Sequence, residues 1–306
     1  MTVNAFKPIL WSASILERLQ EAHVYGNVVN RDYEGEIKQH GDTVRVNSVG
    51  PVTVDDYTIN TTNLTPQVLH TAGQPMVIDQ IKKFYFAIDD VDKAQIKGGV
   101  MDEAMEEAAF ALSNTSDDFL ATTLAASVAT ANILESGAKD SSTSNPIITG
   151  LSSGDAEAYN LLVDLSTRLN KANVKAKDRW IVVDPEFIGL LLKDQKFVGF
   201  ATSGSADTIK TGAPGAGAVG GGLGGMLKTL TGFNVHVSNS VPVSSSVLTI
   251  LAGSKMACSF AEQIPEGQPE AYRLQTGFLD AVRGLHVYGA KVFRPAALAA
   301  AYVKYS

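Results

Sequence analysis

The stretch from residue 41 to residue 88 limits the possible folds more than any other part of this chain. Thr43-Val44-Arg45-Val46-Asn47 alternates apolar and polar side chains, as does Val52-Thr53-Val54, with Gly50-Pro51 as punctuation between them. Asp55 to Thr71 is rich in Thr and Asn and poor in large apolar residues. Extended sequence returns at Met76-Val77-Ile78 and Phe84-Tyr85-Phe86-Ala87-Ile88. The pattern predicts a long hairpin whose outgoing and returning arms hold too little apolar surface for a core of their own. A lone two-stranded ribbon is marginal in water, so this one needs a support, and a neighbouring subunit is the natural candidate.

The strongest helical periodicity follows directly. Val100, Met101, Ala104, Met105, Ala108 and Leu112 recur at steps of three and four, Phe119 and Leu120 continue the stripe, and Asp102, Glu103, Glu106 and Glu107 fall on other faces. Asp89-Asp90 can cap it. A helix unbroken from about Val91 to Ala129 would be on the order of 60 Å long, with Gly98-Gly99 and Ser113-Asn114 as places for a bend. Two shorter helices are the alternative.

Upstream, Ile15, Leu16, Leu19 and Ala22 predict a helix over Ser12 to Val28 that stops near Gly26, and Asn30 to Glu36 is a polar connector. Downstream, Ala158, Leu161, Leu162, Leu165 and Leu169 predict an amphipathic helix over Asp155 to Asn170. Trp180-Ile181-Val182-Val183 is a buried strand. Pro185 behind Asp184 starts a short helix to Leu192, the proline at the first helical position. Thr202 to Gly225 is low in complexity, glycine-rich, and reads as a mobile surface loop. Strands are expected at Phe233 to Val237, Val247 to Leu251, Ala257 to Phe260, Leu285 to Tyr288 with Ala290 to Phe293, and Ala297 to Val303.

A chain of 306 residues, 45% hydrophobic and 19% charged, folds around real cores. Its net charge of −7 argues against a broad basic surface for gripping DNA or anionic membranes, and the densest basic run is Lys82-Lys83. Cys258, the one cysteine, excludes an intrachain disulfide and a thiolate metal cage, and sits in an apolar run as a small buried hydrophobe. The first nineteen residues lack the charged leader and cleavage site of a signal peptide, and the longest apolar stretch, Pro295 to Val303, is too short to cross a bilayer. A soluble protein, made inside the cell, is expected.

Four features invite chemistry and each has a plainer reading. Gly215 to Gly220 matches GxGxxG, but the flanking strand, the helix and the downstream acidic residue that a dinucleotide needs are missing; no Asp or Glu occurs between Asp207 and Glu262. Gly150-Leu151-Ser152-Ser153-Gly154 matches a nucleophile elbow, and Asp184 with His236 or His286 would complete a triad in chain order. Ser152 with Asp155 is equally an ordinary cap ahead of a helix. His23, His40, His70, His236 and His286 are dispersed, reading as surface or interface residues. Asp55-Asp56, Asp89-Asp90-Val91-Asp92 and Asp117-Asp118 read as solvated charge. No catalytic, cofactor-binding or metal-binding set is therefore expected, and no cofactor.

Other segments resemble one family. Phe6-Lys7-Pro8-Ile9-Leu10-Trp11-Ser12-Ala13, Asn30-Arg31-Asp32-Tyr33-Glu34-Gly35-Glu36-Ile37, Gly41-Asp42-Thr43-Val44 and the ending Tyr288-Gly289-Ala290-Lys291-Val292-Phe293-Arg294-Pro295 are similar to those of major capsid proteins of tailed bacteriophages. The resemblance implies an α+β fold of the HK97 type. Residues 1–40 would be an N-terminal arm, 41–88 an extended β-hairpin loop over a neighbour, and 89–150 a peripheral domain with a long spine helix. Residues 151–265 would be an axial domain and 266–306 the return strands of the peripheral domain.

The implied function is a non-enzymatic subunit that self-assembles, through pentamers and hexamers, into an icosahedral shell around double-stranded DNA. Implied partners are further copies, a scaffolding protein, a portal and a decoration protein, with DNA contacted only non-specifically and no membrane. Location would be the virion, after assembly in the host cytoplasm. Because the arm begins almost at Met1, a separate scaffolding protein or an already processed chain is expected. The rival readings are an encapsulin-like nanocompartment shell and a hydrolase built on Ser152.

Overall fold

A computed structural model of the chain describes residues 23–33, 43–49, 56, 71–89, 100–134, 146–150, 156–193, 232–264, 269–274 and 277–306. The amino-terminal half holds a single helical turn α1 (Tyr25–Val28), strands β1 (Thr43–Val49), β2 (Thr71–Val77) and β3 (Gln80–Asp89), the long helix α2 (Val100–Ala126), and short strands β4 (Ile133–Leu134) and β5 (Ile147–Thr149). Helix α3 (Ala158–Lys171), strand β6 (Arg179–Val183) and helix α4 (Pro185–Lys193) follow. Strands β7 (Phe233–Val237), β8 (Val243–Ser244), β9 (Val247–Ser254), β10 (Cys258–Gln263), β11 (Glu270–Arg273), β12 (Leu279–Val292) and β13 (Leu298–Tyr305) complete the chain.

A seven-stranded mixed sheet runs β4-β13-β9-β6-β7, with β5 beside β13 and β8 beside β9. Its central strands are apolar throughout because both faces are covered, and side chains alternate between the two faces. Ile181, Val183, Ile250, Ala252, Ala299, Ala301 and Val303 point to one core with Leu161, Leu162, Leu165 and Leu169 of α3 and Phe187 and Leu191 of α4. Trp180, Val182, Leu251, Leu298 and Ala300 point to the other, where Leu120, Ala121 and Leu124 of α2 meet them. Each fully buried leucine here contributes about 2 kcal/mol of hydrophobic stabilisation.

The second sheet is built on β12. Strand β3 pairs along one edge, from Leu279↔Asp89 to Tyr288↔Gln80. On the other edge lie β11, against Asp280 to Arg283, and then β10, against Val287 to Val292. Helix α2 covers one face of this sheet, with Phe119 edge-on to Tyr288 at 5.4 Å between ring centres. On the opposite face the end of β2 crosses at Gly289. A Cβ there would lie 2.6 Å from the Val77 carbonyl oxygen and 2.9 Å from Ile78 Cα, so only glycine admits the crossing chain. Met76 and Ile78 are thereby buried against Ala261 and Val287.

Strands β1 and β2 form their own two-stranded antiparallel ribbon, Thr43↔Val77 through Val49↔Thr71. Apart from the base at Met76 and Ile78, it joins neither larger sheet. Asp56 is exposed, while Val52 to Val54 and the rest of the hairpin tip lie outside the described residues.

Several expectations are corrected. Helix α2 is one unbroken helix of 27 residues through Ser113-Asn114 and not two shorter ones, about 40 Å long. Its hydroxyls turn inward on the helix: Ser116 donates to the Leu112 and Ser113 carbonyls and Thr115 to that of Ala111, so the polar run costs no turn. Gly98-Gly99 lies outside the described residues. Gly26 does not stop a helix; it sits inside the turn α1, and the expected helical residues before 23 lie outside the described set. Helix α3 starts later than expected, at Ala158, with Glu157 before it and no side-chain cap. By contrast, Asp184 caps α4 as expected, accepting from the Glu186 and Phe187 N–H groups at 3.3 and 3.1 Å. Leu285 to Val292 is not two strands but part of the continuous fourteen-residue β12, which ends before Phe293.

Candidate assembly surface and a sealed charge cluster

One face of the β12 sheet is left open beyond the crossing at Gly289. Along β3 exposure alternates strictly, leaving Ile81, Lys83 and Tyr85 outward, with Tyr85 53% exposed. In register across the pairing lie Arg283 opposite Tyr85 and Leu285 opposite Lys83. Arg283 stacks over Tyr272 of β11, its guanidinium carbon 5.0 Å from the ring centre, and pairs with Glu270 at 2.7 Å. These residues make an aromatic, cationic and apolar strip. Residues of this kind are enriched at protein interfaces. The strip is continuous with the root of the ribbon, where Val77 is also exposed.

Five of the buried or partly buried polar side chains, His23, Arg31, Asp117, Glu262 and His286, gather at one point. His23 Nδ1 lies 2.9 Å from Asp117 Oδ1 and 3.2 Å from Ser113 Oγ, and Nε2 lies 3.1 Å from Glu262 Oε2. The same Glu262 oxygen is 3.1 Å from His286 Nε2, while Arg31 donates to the other oxygen of that carboxylate. Asp117 also accepts the N–H groups of Val24, Tyr25 and Gly26 at 2.7, 3.1 and 3.1 Å, capping α1 from across the fold. His23, Asp117, Glu262 and His286 are all buried. Burial alone would lower the proton affinity of His23, but hydrogen bonds to Asp117 and Glu262 and their charges raise its pKa to about 9. Burial would likewise raise Glu262; the hydrogen bonds from His23 and His286, with the charges of His23 and Arg31, hold it well below the usual carboxylate range.

Two expectations fall here. His23 and His286 are not surface residues, and Asp117 is not solvated charge. Sequence spacing carried the signal: Ala109, Ser113, Asp117 and Ala121 are all buried at steps of four on α2, so a serine and an aspartate occupy stripe positions where an apolar side chain is normal. Glu262 continues the inward alternation of Cys258 and Phe260, and His286 that of Val282 and Tyr288.

Chemically the cluster is closed. A Ser–His–Asp grouping is present, yet Ser113 and Asp117 approach the same ring nitrogen, and Ser113 is fully buried. Glu262 holds the other ring nitrogen, but a hydroxyl sealed in the core gives a substrate no access, so the grouping is no working triad. The ring nitrogens aim at carboxylate oxygens, and among the described residues no three His, Cys, Asp or Glu side chains could hold a metal ion.

Two candidates for the tempting triad are committed elsewhere. Asp184 is occupied as the α4 cap and by the Tyr305 hydroxyl, and His286 lies in the other sheet on Glu262. Ser152, like Gly215 to Gly220 and the whole of Thr202 to Gly225, lies outside the described residues, as do His40, His70, Asp55, Asp90 and Asp92. Asp89 ends β3. Cys258 is the expected small buried hydrophobe, its thiol pushed up to about 12 by burial. Among the described residues no helix is long and apolar enough to cross a membrane.

Sealed polar groups, two apolar cores and an outlying ribbon beside an open aromatic strip define a structural building block. The family profile described as phage capsid protein matches residues 73–301. This chain belongs to the phage capsid protein family, and it is a capsid shell protein with a capsid-type α+β fold. A solved structure titled Mycobacterium phage Che8 is similar over 91% of this chain and 90% of its own, with 27% identity and a TM-score of 0.63. The capsid structure of the cyanophage P-SCSP1u shares the fold at 19% identity and TM-score 0.59, over 93% of this chain and 87% of its own. So does a virus-like particle from Pyrococcus furiosus, at 13% identity and TM-score 0.54, over 98% of this chain and all of its own. No curated protein sequence matches the chain.

Proposed function

We propose that this protein is the major capsid subunit of a tailed bacteriophage, assembling through pentamers and hexamers into an icosahedral head around double-stranded DNA. The observation that carries this reading is the β1–β2 ribbon, read in a chain whose family is phage capsid protein. It is a two-stranded sheet separate from both larger sheets, and a second subunit beneath it would give it the support a lone ribbon lacks. Such contacts are heterologous and close by rotation. The protein works by packing, without catalysis and without a cofactor.

In this reading, residues 1–40 are the arm and 41–88 the extended loop of an HK97-type subunit, with strand pairing supporting the move of Gln80 to Ile88 into the β12 sheet. Helix α2 with the β12 sheet forms the peripheral domain, and the seven-stranded sheet with α3 and α4 forms the axial domain at the five-fold and six-fold centres. Strand pairing supports moving Cys258–Gln263 out of the 151–265 axial range, since it joins β12, and moving Leu298–Tyr305 into the axial domain, since it joins β9. A scaffolding protein, a portal and a decoration protein are the expected partners, with assembly in the host cytoplasm and final residence in the virion. The net charge of −7 suits a wall that does not grip the DNA it encloses. An encapsulin-like shell shares the fold, but the phage family profile favours the capsid.

Deleting residues 55–71 tests the reading. Rings and shells should disappear from negative-stain micrographs while circular dichroism of the remaining subunit stays that of a folded α+β protein. Shell formation at the full-length level would refute the clasp.

A further inference from the structure

The root of the amino-terminal segment carries a device that building a shell does not require. Residues 23–33 add no strand to either sheet. They touch the body through one bridge, in which Asn30 N–H donates to the Cys258 carbonyl at 3.0 Å and Phe260 N–H to that of Asn30 at 2.9 Å. The rest of the hold is apolar contact by Tyr25, Val28 and Val29 and the charge cluster. His23 and Arg31, which make three of the cluster's four ion contacts, belong to the segment; both anions, Asp117 and Glu262, belong to the body, as does His286, which makes the fourth. Each of the pairs His23–Asp117, His23–Glu262 and Arg31–Glu262 thus spans the joint. All three N–H groups that Asp117 accepts come from the segment as well.

We infer that this cluster is a charge latch, at which residues 23–33 release as a unit from the long helix and the β12 sheet while both sheets stay folded. Removing one partner of a buried pair leaves an unpaired buried charge, so partial opening is disfavoured and the joint behaves as a two-state element. The latch is also weakened from within: Tyr25 Oη, His286 Nδ1 and Tyr288 Oη are buried and have no hydrogen-bond partner among the described residues.

His23 is faced by Ser113 and Asp117 from α2, by Glu262 and the Phe260 ring from β10, by His286 from β12 behind Glu262, and by Arg31 from its own segment. With its pKa raised from 6.5 to about 9, its share of the hold is complete below about 6.5 and is lost as pH rises through about 9. Glu262, held low, keeps its share above the ordinary carboxylate pKa and loses it only in strong acid.

The test is trypsin cleavage of the Arg31–Asp32 bond in the full-length protein, followed by mass spectrometry and normalised to a model peptide at each pH. The expected result is a rise on the order of 30-fold between pH 7 and pH 9, with no matching rise at Arg179 inside the seven-stranded sheet. His23→Gln should cleave fast at pH 7 and show a flat profile. Should that variant fail to fold, Asp117→Asn serves in its place, and the wild-type profile decides the matter alone. A wild-type rate unchanged to pH 9, a variant that keeps the wild-type profile, or an equal rise at Arg179 would each overturn the latch. The inference rests on the single chain, so its failure leaves the shell reading untouched.

Discussion

Glu262→Gln is the substitution whose consequence can be worked most fully from the structure. The side chain is nearly isosteric, so packing in the core is preserved and the change is electrostatic. Three donors converge on this carboxylate: His23 and His286 on one oxygen, Arg31 on the other. A glutamine keeps one acceptor and turns an NH2 group toward a donor. At least one buried donor is left unpaired, and His23 and Arg31 lose half of their compensating charge. Breaking a buried pair in this way costs roughly 3–5 kcal/mol, a large part of the 5–15 kcal/mol typical of a whole domain.

In thermal unfolding of dissociated subunits, followed by circular dichroism, the midpoint should fall by on the order of 10 °C. The control is Glu270→Gln, which removes an ion pair of the same kind on the open strip, where both side chains are about half exposed. Its midpoint should coincide with that of wild type. If Glu262→Gln melts with wild type, or if the two variants fall together, the cluster does not hold the subunit as argued.

Two further changes probe other joints. Gly289→Ala should lower stability by about 1–3 kcal/mol in urea unfolding, because the new methyl meets the backbone of Val77 and Ile78 and not a movable side chain; wild-type stability would mean that β2 does not cross there. Cys258, 1% exposed and with its thiol raised to about 12, should stay unlabelled by a thiol reagent at pH 8 until the protein is denatured; prompt labelling of the native protein would place it at the surface.

Much of the fold was legible because local pattern and tertiary role agree. The apolar run at Trp180 to Val183 becomes the fully buried β6, the proline behind Asp184 opens α4, and the leucines of α3 face the sheet they were spaced to face. The ribbon was legible as a lack of apolar surface, but its returning arm was expected to include Phe84 to Ile88, which instead pairs with β12, while Thr71–Val77 lies against β1. What the sequence hid is long-range. His23, Arg31, Asp117, Glu262 and His286 span 263 positions (23 to 286), and no local window shows that they meet. The bend expected at Ser113-Asn114 rested on polar residues being poor helix interiors in water. Here Ser113 and Asp117 meet buried partners, so the same residues that weaken an isolated helix fix this one to the segment that crosses it.

The central claim is that this chain completes itself with copies of itself, and electron microscopy of the purified full-length protein, alone or with its scaffold, measures that directly. Closed shells or pentameric and hexameric rings are the predicted result. A stable monomer of 32.4 kDa at every concentration and salt tested would contradict it.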